Sequence, residues 1–413
     1  MSAGERTGEV EGARRVREED AFDVDAVTAW LRTRRGESEV LDGIDLDGAA
    51  RPEVRQFSGG ASNLTYLLRY PGSDLILRRP PVGTKARGAH DMRREHDVQA
   101  ALAPVFPLVP RMVGLCTDES VLGSEFYVME RLEGTILRRE IPAGLGLDAA
   151  RTRELCERAV DTLARLHSVD VDAAGLAGLG RGDGYVRRQV EGWSARYRRA
   201  RTPDVGGFET VMAWLDAHQP ADVGRCLVHN DFRFDNLVLD PSDPARIVGV
   251  LDWEMATVGD PLMDLGGALA YWVEARDGRL FRLFRRQPTH APGMLTRAEV
   301  VERHGRATGL RVSRDEWRFY EVFGLFRLAV IAQQIHYRYF HGQTSNPAFR
   351  QFRWAVLLLE QRCLRIIRGD GRPVTGLARS ARDASRLARP LAAGAVHGAR
   401  GLTGRRSARP SRS

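Results

Sequence analysis

Between Cys226 and Glu254 the chain alternates short apolar runs with polar loops so tightly that few folds can accommodate it. Cys226-Leu227-Val228 is an apolar run, and it leads into His229-Asn230-Asp231-Phe232-Arg233-Phe234-Asp235-Asn236. A second run, Leu237-Val238-Leu239, is followed by the turn cluster Pro241-Ser242-Asp243-Pro244. Arg246 to Leu251 is a β-branched run that delivers Asp252 at its end. The pattern predicts strand, turn, strand, with Asp231, Asn236 and Asp252 carried on a rigid hairpin. Asp and Asn favour turns in any case, so each alone reads as an ordinary loop residue. Three such groups at this spacing, joined by a hairpin, point to a site.

The chemistry that fits is phosphoryl transfer. It asks the protein for a carboxylate to orient the attacking hydroxyl, and for an oxygen ligand plus a carboxylate to hold Mg²⁺ against the phosphates of ATP. Asp231 is the candidate for the first task, and Asn236 and Asp252 are the candidate metal ligands. The spacing H-x-D-x-x-x-x-N matches the catalytic loop of protein kinases, while the second acidic motif reads D-W-E and not D-F-G. His229 is expected to brace the loop by hydrogen bonding. Asp260, before Pro261, has the signature of a helix cap, and Asp264 is read as structural too. Glu254 is read either as reaching a second metal or as a surface residue.

The chain resembles the aminoglycoside phosphotransferase and choline kinase group of small-molecule kinases, and most of all the branch also found fused to acyl-CoA dehydrogenases. The resemblance rests on Phe57 to Tyr66 (FSGGASNLTY), Leu77-Arg78-Arg79-Pro80-Pro81, Arg94-Glu95-His96, Leu227 to Asp231, and Asp252-Trp253-Glu254 through Gly259-Asp260-Pro261. It covers residues 23 to 368. It implies an α+β, bilobal, protein-kinase-like fold with a small β-rich N-lobe and a large α-helical C-lobe. It also implies an ATP- and Mg²⁺-dependent kinase acting on a small-molecule hydroxyl, and it suggests a hydroxylated acyl compound or acyl-CoA as acceptor. Asn230 departs from the group, which usually has glycine there.

The remaining site candidates follow in chain order. Ser58, Gly59, Gly60, Ser62 and Asn63 form a loop whose glycines let backbone N–H groups approach a phosphate. Arg78 stands where the group usually has lysine, and Glu95 on the next helix is its expected partner. Arg79 is adjacent, and strand alternation sends the two to opposite faces. Lys85, the one lysine among 62 basic residues, lies beyond the Pro-Pro pair. Glu130 to Leu132 resemble the hinge, where adenine takes hydrogen bonds from main-chain groups. Met129 reads equally as a residue packed on the base or as core. For the acceptor pocket the helical half offers Tyr185, Arg188, Trp193, Trp253, Tyr271, Trp272, Arg327 and Gln333. Few acidic clusters occur there, which disfavours a polyamine such as an aminoglycoside.

Composition narrows the alternatives. The net charge of +8 invites a nucleic-acid reading. Residues 371–413, however, hold ten arginines against one aspartate, so the rest of the chain sums to −1. That tail is poor in large apolar residues and is expected to be disordered, as are residues 1–21. The N-lobe is expected over 22–129, and the hinge and C-lobe over 130–370. No specific nucleic-acid partner and no transmembrane segment are expected, and nothing fixes an oligomeric state. Four dispersed cysteines and a polar N-terminus suggest a cytoplasmic protein with reduced thiols. Two other readings stay open: a catalytically inactive nucleotide-binding regulator, favoured by the missing lysine, and an aminoglycoside or amino-alcohol kinase.

Overall fold

The computed structural model describes residues 10, 12–48, 51–57, 63–81, 91–344 and 346–369. Its first half contains β1 (Ala13–Arg15), α1 (Val24–Thr33), β2 (Glu53–Phe57), β3 (Leu64–Tyr70), β4 (Ser73–Arg79), α2 (Met92–Leu102), β5 (Met112–Cys116), α3 (Glu119–Leu122) and β6 (Phe126–Glu130). The strands form one antiparallel sheet in the order β1-β2-β3-β4-β6-β5. Both faces of the sheet are covered, which is why β3 and β4 read as nearly continuous apolar runs. On one face Leu68, Leu75, Leu77 and Val128 pack against Val27, Trp30 and Leu31 of α1. On the other, Leu67, Ile76, Tyr127 and Met129 pack with Met92 of α2. Asp23 and Asp91 cap the two helices by accepting from backbone N–H groups of their first turns.

Residues 12–20 correct the expectation of a disordered N-terminus. β1 pairs with β2 in the register Ala13↔Phe57 to Arg15↔Arg55. Asp20 is buried and accepts from Gln56 Nε2 at 2.7 Å. These contacts are far apart in sequence, so local composition did not announce them. The expected phosphate loop, Ser58 to Ser62, lies outside the described residues, as do Lys85 and the tail.

The second half contains α4 (Ala149–His167), α5 (Tyr185–Ala200), α6 (Glu209–Ala217), β7 (Cys226–Val228), β8 (Leu237–Leu239), β9 (Ile247–Val250), β10 (Thr257–Gly259), α7 (Pro261–Ala270), α8 (Arg279–Leu283), α9 (Arg297–Thr308), α10 (Arg314–Phe340) and α11 (Phe352–Arg368). The anticipated hairpin is β8–β9, while β7 pairs with β10. Helix α7 ends at Ala270. Val273 leaves the helix to donate its N–H to Thr289 Oγ1, and Arg297 draws Asp277 into an ion pair at 2.7 Å. No helix among the described residues is long and apolar enough to cross a membrane.

The two halves join through Glu130 to Thr135. Thr135 exchanges backbone hydrogen bonds with Leu239 of β8 at 3.0 and 2.8 Å. A Cβ on Gly134 would lie 2.1 Å from the Leu239 carbonyl oxygen, so only glycine permits this approach. Leu132 lies over β9 in the same way: a Cβ on Gly249 would meet Leu132 Cδ1 at 2.1 Å. The connector is therefore seated directly on the hairpin that carries Asn236 and Asp252.

Candidate active site

His229, Asn230 and Asp231 leave β7 as a loop anchored from beneath. Asp264, in the first turn of α7, is 1% exposed and accepts from the N–H of His229 at 2.7 Å and of Asn230 at 2.8 Å. His167 Nε2 lies 3.1 Å from the same carboxylate. Burial works against its charge, but these donors prevail and hold the Asp264 carboxyl below its ordinary value. His229 is fully buried. Its Nε2–H donates to the Leu251 carbonyl at 3.0 Å and its Nδ1 accepts from the Asp231 N–H at 3.2 Å. That pattern requires a neutral ring, so the geometry is that of a brace.

Asn230 has φ +64°, in the left-handed region that favours glycine. This accounts for glycine being usual in the group. Asparagine tolerates the conformation best among the other residues, and here its amide also works. Nδ2 donates to the Met255 carbonyl at 3.1 Å, and Oδ1 accepts from the Tyr185 hydroxyl at 3.3 Å.

Asp231 faces Asn236, whose Nδ2 donates to the Asp231 carbonyl at 2.8 Å and to its Oδ2 at 3.1 Å. The Asn236 amide nitrogen is thus engaged, and among the described residues its Oδ1 carries no hydrogen bond. Arg233 reaches the same Oδ2 at 3.1 Å, pairs with Asp235 at 3.3 Å and stacks on Tyr271 at 4.7 Å. Burial pushes the Asp231 carboxyl up, and Arg233 only partly offsets it. Asp252 follows β9 with φ +68°, in the left-handed region, and its carboxylate lies 3.5 Å from Arg78.

Arg78 closes the site from the sheet. Its Nη1 lies 3.0 Å from Glu95 Oε1, and its Nη2 lies 3.5 Å from Asp252 Oδ1 and 4.0 Å from Glu254 Oε2. Asn63 Nδ2 donates to both Glu95 and Glu254 at 3.4 Å. Arg79 points the other way. It is 2% exposed, donates to the Asp20 carbonyl at 2.6 Å and lies over the rings of Phe22 and Tyr66. The alternation of β4 thus assigns Arg78 to the cleft and Arg79 to holding the N-terminal segment. Sequence reasoning gave Arg94 no task. Its Nη1 donates to the Glu254 carbonyl at 2.8 Å and its Nη2 to that of Ala256, tying α2 to the segment after Asp252.

At the connector, Met129 is core, packed with Leu67, Ile76, Met92 and Tyr127. The Glu130 N–H is taken by the Arg111 carbonyl at 2.9 Å, and its carboxylate by Arg111, so of its hydrogen-bonding groups only the carbonyl could face a base.

A cavity of about 670 Å³ runs from Asn63, Arg78, Asp231 and Asp252 into the helical half. Of the expected acceptor residues only Tyr271 lines it. The rest are spent on structure. Trp253 is fully buried against Phe106 and His229, and Trp272 donates to the Leu295 carbonyl. Arg188 binds the carbonyls of Gly182 and Asp183. Arg327 donates to the Asn230 carbonyl at 2.6 Å and lies over Trp193. Tyr185 serves Asn230, and Gln333 serves Ala200 and Thr202. What the sequence reading missed is the basic rim of the cavity, Arg138, Arg139, Arg285 and Arg286, and its aliphatic wall. Adjacent arginine pairs were the available signal.

Residues 53–300 match the family model described as the phosphotransferase enzyme family, APH. Acyl-CoA dehydrogenase family member 11 of Gallus gallus is 33% identical over 86% of this chain and 45% of its own length. Family member 10 of Mus musculus is 36% identical over 72% of this chain and 28% of its own. The chain thus spans less than half the length of these curated relatives. A crystal structure from Ralstonia eutropha, of a protein named for the aminoglycoside phosphotransferases, superposes with a TM-score of 0.70. It is 30% identical and covers 85% of this chain and 100% of its own. Choline kinase from Cryptosporidium parvum, 12% identical with a TM-score of 0.52 over 84% of this chain and 97% of its own, shares the fold. The bilobal kinase-like architecture is therefore established, and the chain belongs to the APH phosphotransferase enzyme family.

Proposed function

We propose that the chain transfers the γ-phosphoryl group of ATP, with Mg²⁺, to a hydroxyl of a small acyl compound or its CoA thioester. The observation that carries this reading is the shared cavity. Asp231, Asp235, Asp252, Glu254 and Arg78 line it together with five more arginines and a wall of aliphatic and aromatic side chains.

In this reading Asp231 orients the acceptor hydroxyl and takes its proton. The acceptor oxygen bonds to the γ-phosphorus as the bond to the ADP oxygen breaks. Arg233, 3.1 Å from Asp231, is placed to neutralise the phosphoryl oxygens during transfer. Arg78, positioned by Glu95, and Asn63 hold the ATP phosphates, and Ser58, Gly59, Gly60 and Ser62 are assigned the same task from their sequence alone. The carbonyls of Glu130 and its neighbours serve the base. The open Oδ1 of Asn236 and the Asp252 carboxylate are oxygen donors suited to a hard cation. Among the described residues no three His, Cys, Asp or Glu are grouped so as to hold a metal ion by themselves. When bound, Mg²⁺ supplies charge neutralisation at the phosphates.

The arginines around the cavity favour an anionic acceptor over a polycationic aminoglycoside. The names of the curated relatives point to acyl-CoA chemistry. The test is a screen for ATP and GTP consumption with hydroxylated acids, hydroxyacyl-CoAs, amino alcohols and aminoglycosides, in wild type and Asp252→Ala. Turnover with hydroxylated acyl acceptors, lost in Asp252→Ala together with MgATP binding, supports the reading. Turnover with amines alone, or with nothing in the wild type, sinks it; the second result favours a nucleotide-binding regulator.

A further inference from the structure

The cavity has an arm that phosphoryl transfer does not use. Leu328, Ile331 and Ile335 of α10 lie three to four residues apart and form one stripe, and Phe352, Ala355 and Leu358 of α11 form another. All six line the same cavity as Asp231 and Asp252, and all six are only half-buried, although the two helices pack against each other. Apolar surface left open inside a cavity of this size is what ligand sites retain. The mouth holds Arg138, Arg139, Arg285 and Arg286. Arg285 is paired with Glu140, whereas Arg138 and Arg286 have no ion-pair partner among the described residues. Burial and the neighbouring cations Arg285 and Arg286 hold the Arg139 guanidinium below its ordinary value, with Glu140 offsetting them only in part.

We propose that the α10–α11 arm is a channel for the aliphatic chain of an anionic acyl ligand, that its floor sets the chain length accepted, and that Arg138 and Arg286 hold the anionic end. This rests on the acyl-acceptor reading above and deepens it. Continuity with Asp231 and Asp252 makes the acceptor the occupant. The Arg-rich stretch 370–413, which follows α11 in the sequence, is excluded by like charge at the mouth. Ala355 is the measuring position, because a small residue in the stripe leaves room that a larger one would fill.

Binding of saturated acyl-CoAs from butyryl- to tetradecanoyl-CoA by the full chain tests this without turnover. Affinity should rise about fourfold per methylene and then reach a plateau where the chain meets the floor. In Ala355→Phe the plateau should come earlier, with about tenfold weaker dodecanoyl-CoA binding and unchanged butyryl-CoA and MgATP binding. Ile335→Ala removes volume and cannot clash, so it should move the plateau to longer chains even if Ala355→Phe does not fold. Arg138→Ala with Arg286→Ala should weaken all lengths by one common factor. If that loss appears with octanoyl-CoA and not with octanoate, the arginines read the carrier phosphates; if octanoate loses affinity as well, they hold either anion, phosphate or carboxylate; if neither loses affinity, the arginines do not hold the anionic end. A flat chain-length profile overturns the channel. So does a plateau that neither variant moves, or a tenfold gain in dodecanoyl-CoA affinity on deleting residues 370–413. A flat profile with phosphorylated hydroxyacyl products would remove the channel and leave the acyl-kinase reading standing. A plateau that moves as described, with no acyl compound phosphorylated, would keep the channel and remove that reading.

Discussion

Arg78 and Glu95 lie 3.0 Å apart across the seam between the sheet and α2, and the same guanidinium reaches toward Asp252 in the other half of the molecule. One side chain therefore senses both α2 and the hairpin. Arg78→Ala and Glu95→Ala should each lower kcat/KM for ATP by about 10- to 100-fold, from ~1.5–3 kcal/mol per charged hydrogen bond. Because the two act as a unit, the double variant should be little worse than the worse single. Arg78→Lys keeps the charge without the planar fork and should retain partial activity. Additive losses in steady-state kinetics would place the phosphate contact elsewhere.

Asp231→Asn should lower kcat by about 10²- to 10⁴-fold while MgATP binding survives. Its carboxyl is raised by burial, so the folded state binds that proton more tightly than the unfolded chain does. Stability contributed by this group is therefore lost as pH rises through its folded value. At neutral pH the charge is a cost, and Asp231→Asn should melt no lower than the wild type. The kcat profile should show an acid limb displaced upward from the ordinary carboxylate value of 3.8. A large fall in melting temperature would show that the carboxylate is structural.

Arg94→Met should preserve α2, whose cap is Asp91, and release the segment from Glu254 to Ala256. Two hydrogen bonds at ~1 kcal/mol each set the scale of the stability loss in urea unfolding. Turnover should fall about tenfold, because Asp252 and Glu95 lose their common tether. Combined with Glu95→Ala the turnover losses should not add. Unchanged turnover would reduce Arg94 to a surface contact.

His304 is fully buried behind His167, with Nε2 2.9 Å from His167 Nδ1 and, among the described residues, no partner for its own Nδ1. Burial and the neighbouring histidine lower its value to about 3. The unfolded chain thus takes up a proton that the folded one refuses. Stability from this group is complete above the ordinary value of 6.5 and is lost as pH falls from there towards 3. His304→Gln should flatten the decline of melting temperature between about pH 7 and 5. An unchanged slope would mean that another group controls it.

The spacing that carries Asp231, Asn236 and Asp252 was legible because all three hang on one short hairpin. Arg78 was separable from Arg79 because a strand alternates. Residues 13–15 were not legible: a three-residue edge strand is held by β2 and, further along, by Arg79, and neither is local. Trp253, Trp272 and Arg327 looked like pocket residues because large amphipathic side chains serve cores and ligands equally well. The cavity wall stayed hidden because α10 is apolar around most of its circumference, so periodicity selects no face. Asp264 was expected to be structural, but its service to the loop depends on a fold that brings α7 beneath β7.

A guanidinium in the cleft also changes how the protein presents itself to chemical probes. Acyl-phosphate analogues of nucleotides report on kinases by acylating an amine beside the phosphates. Arg78 offers no such amine, and its charge is never surrendered at working pH. A reagent of that type would find no amine to take at Arg78 itself.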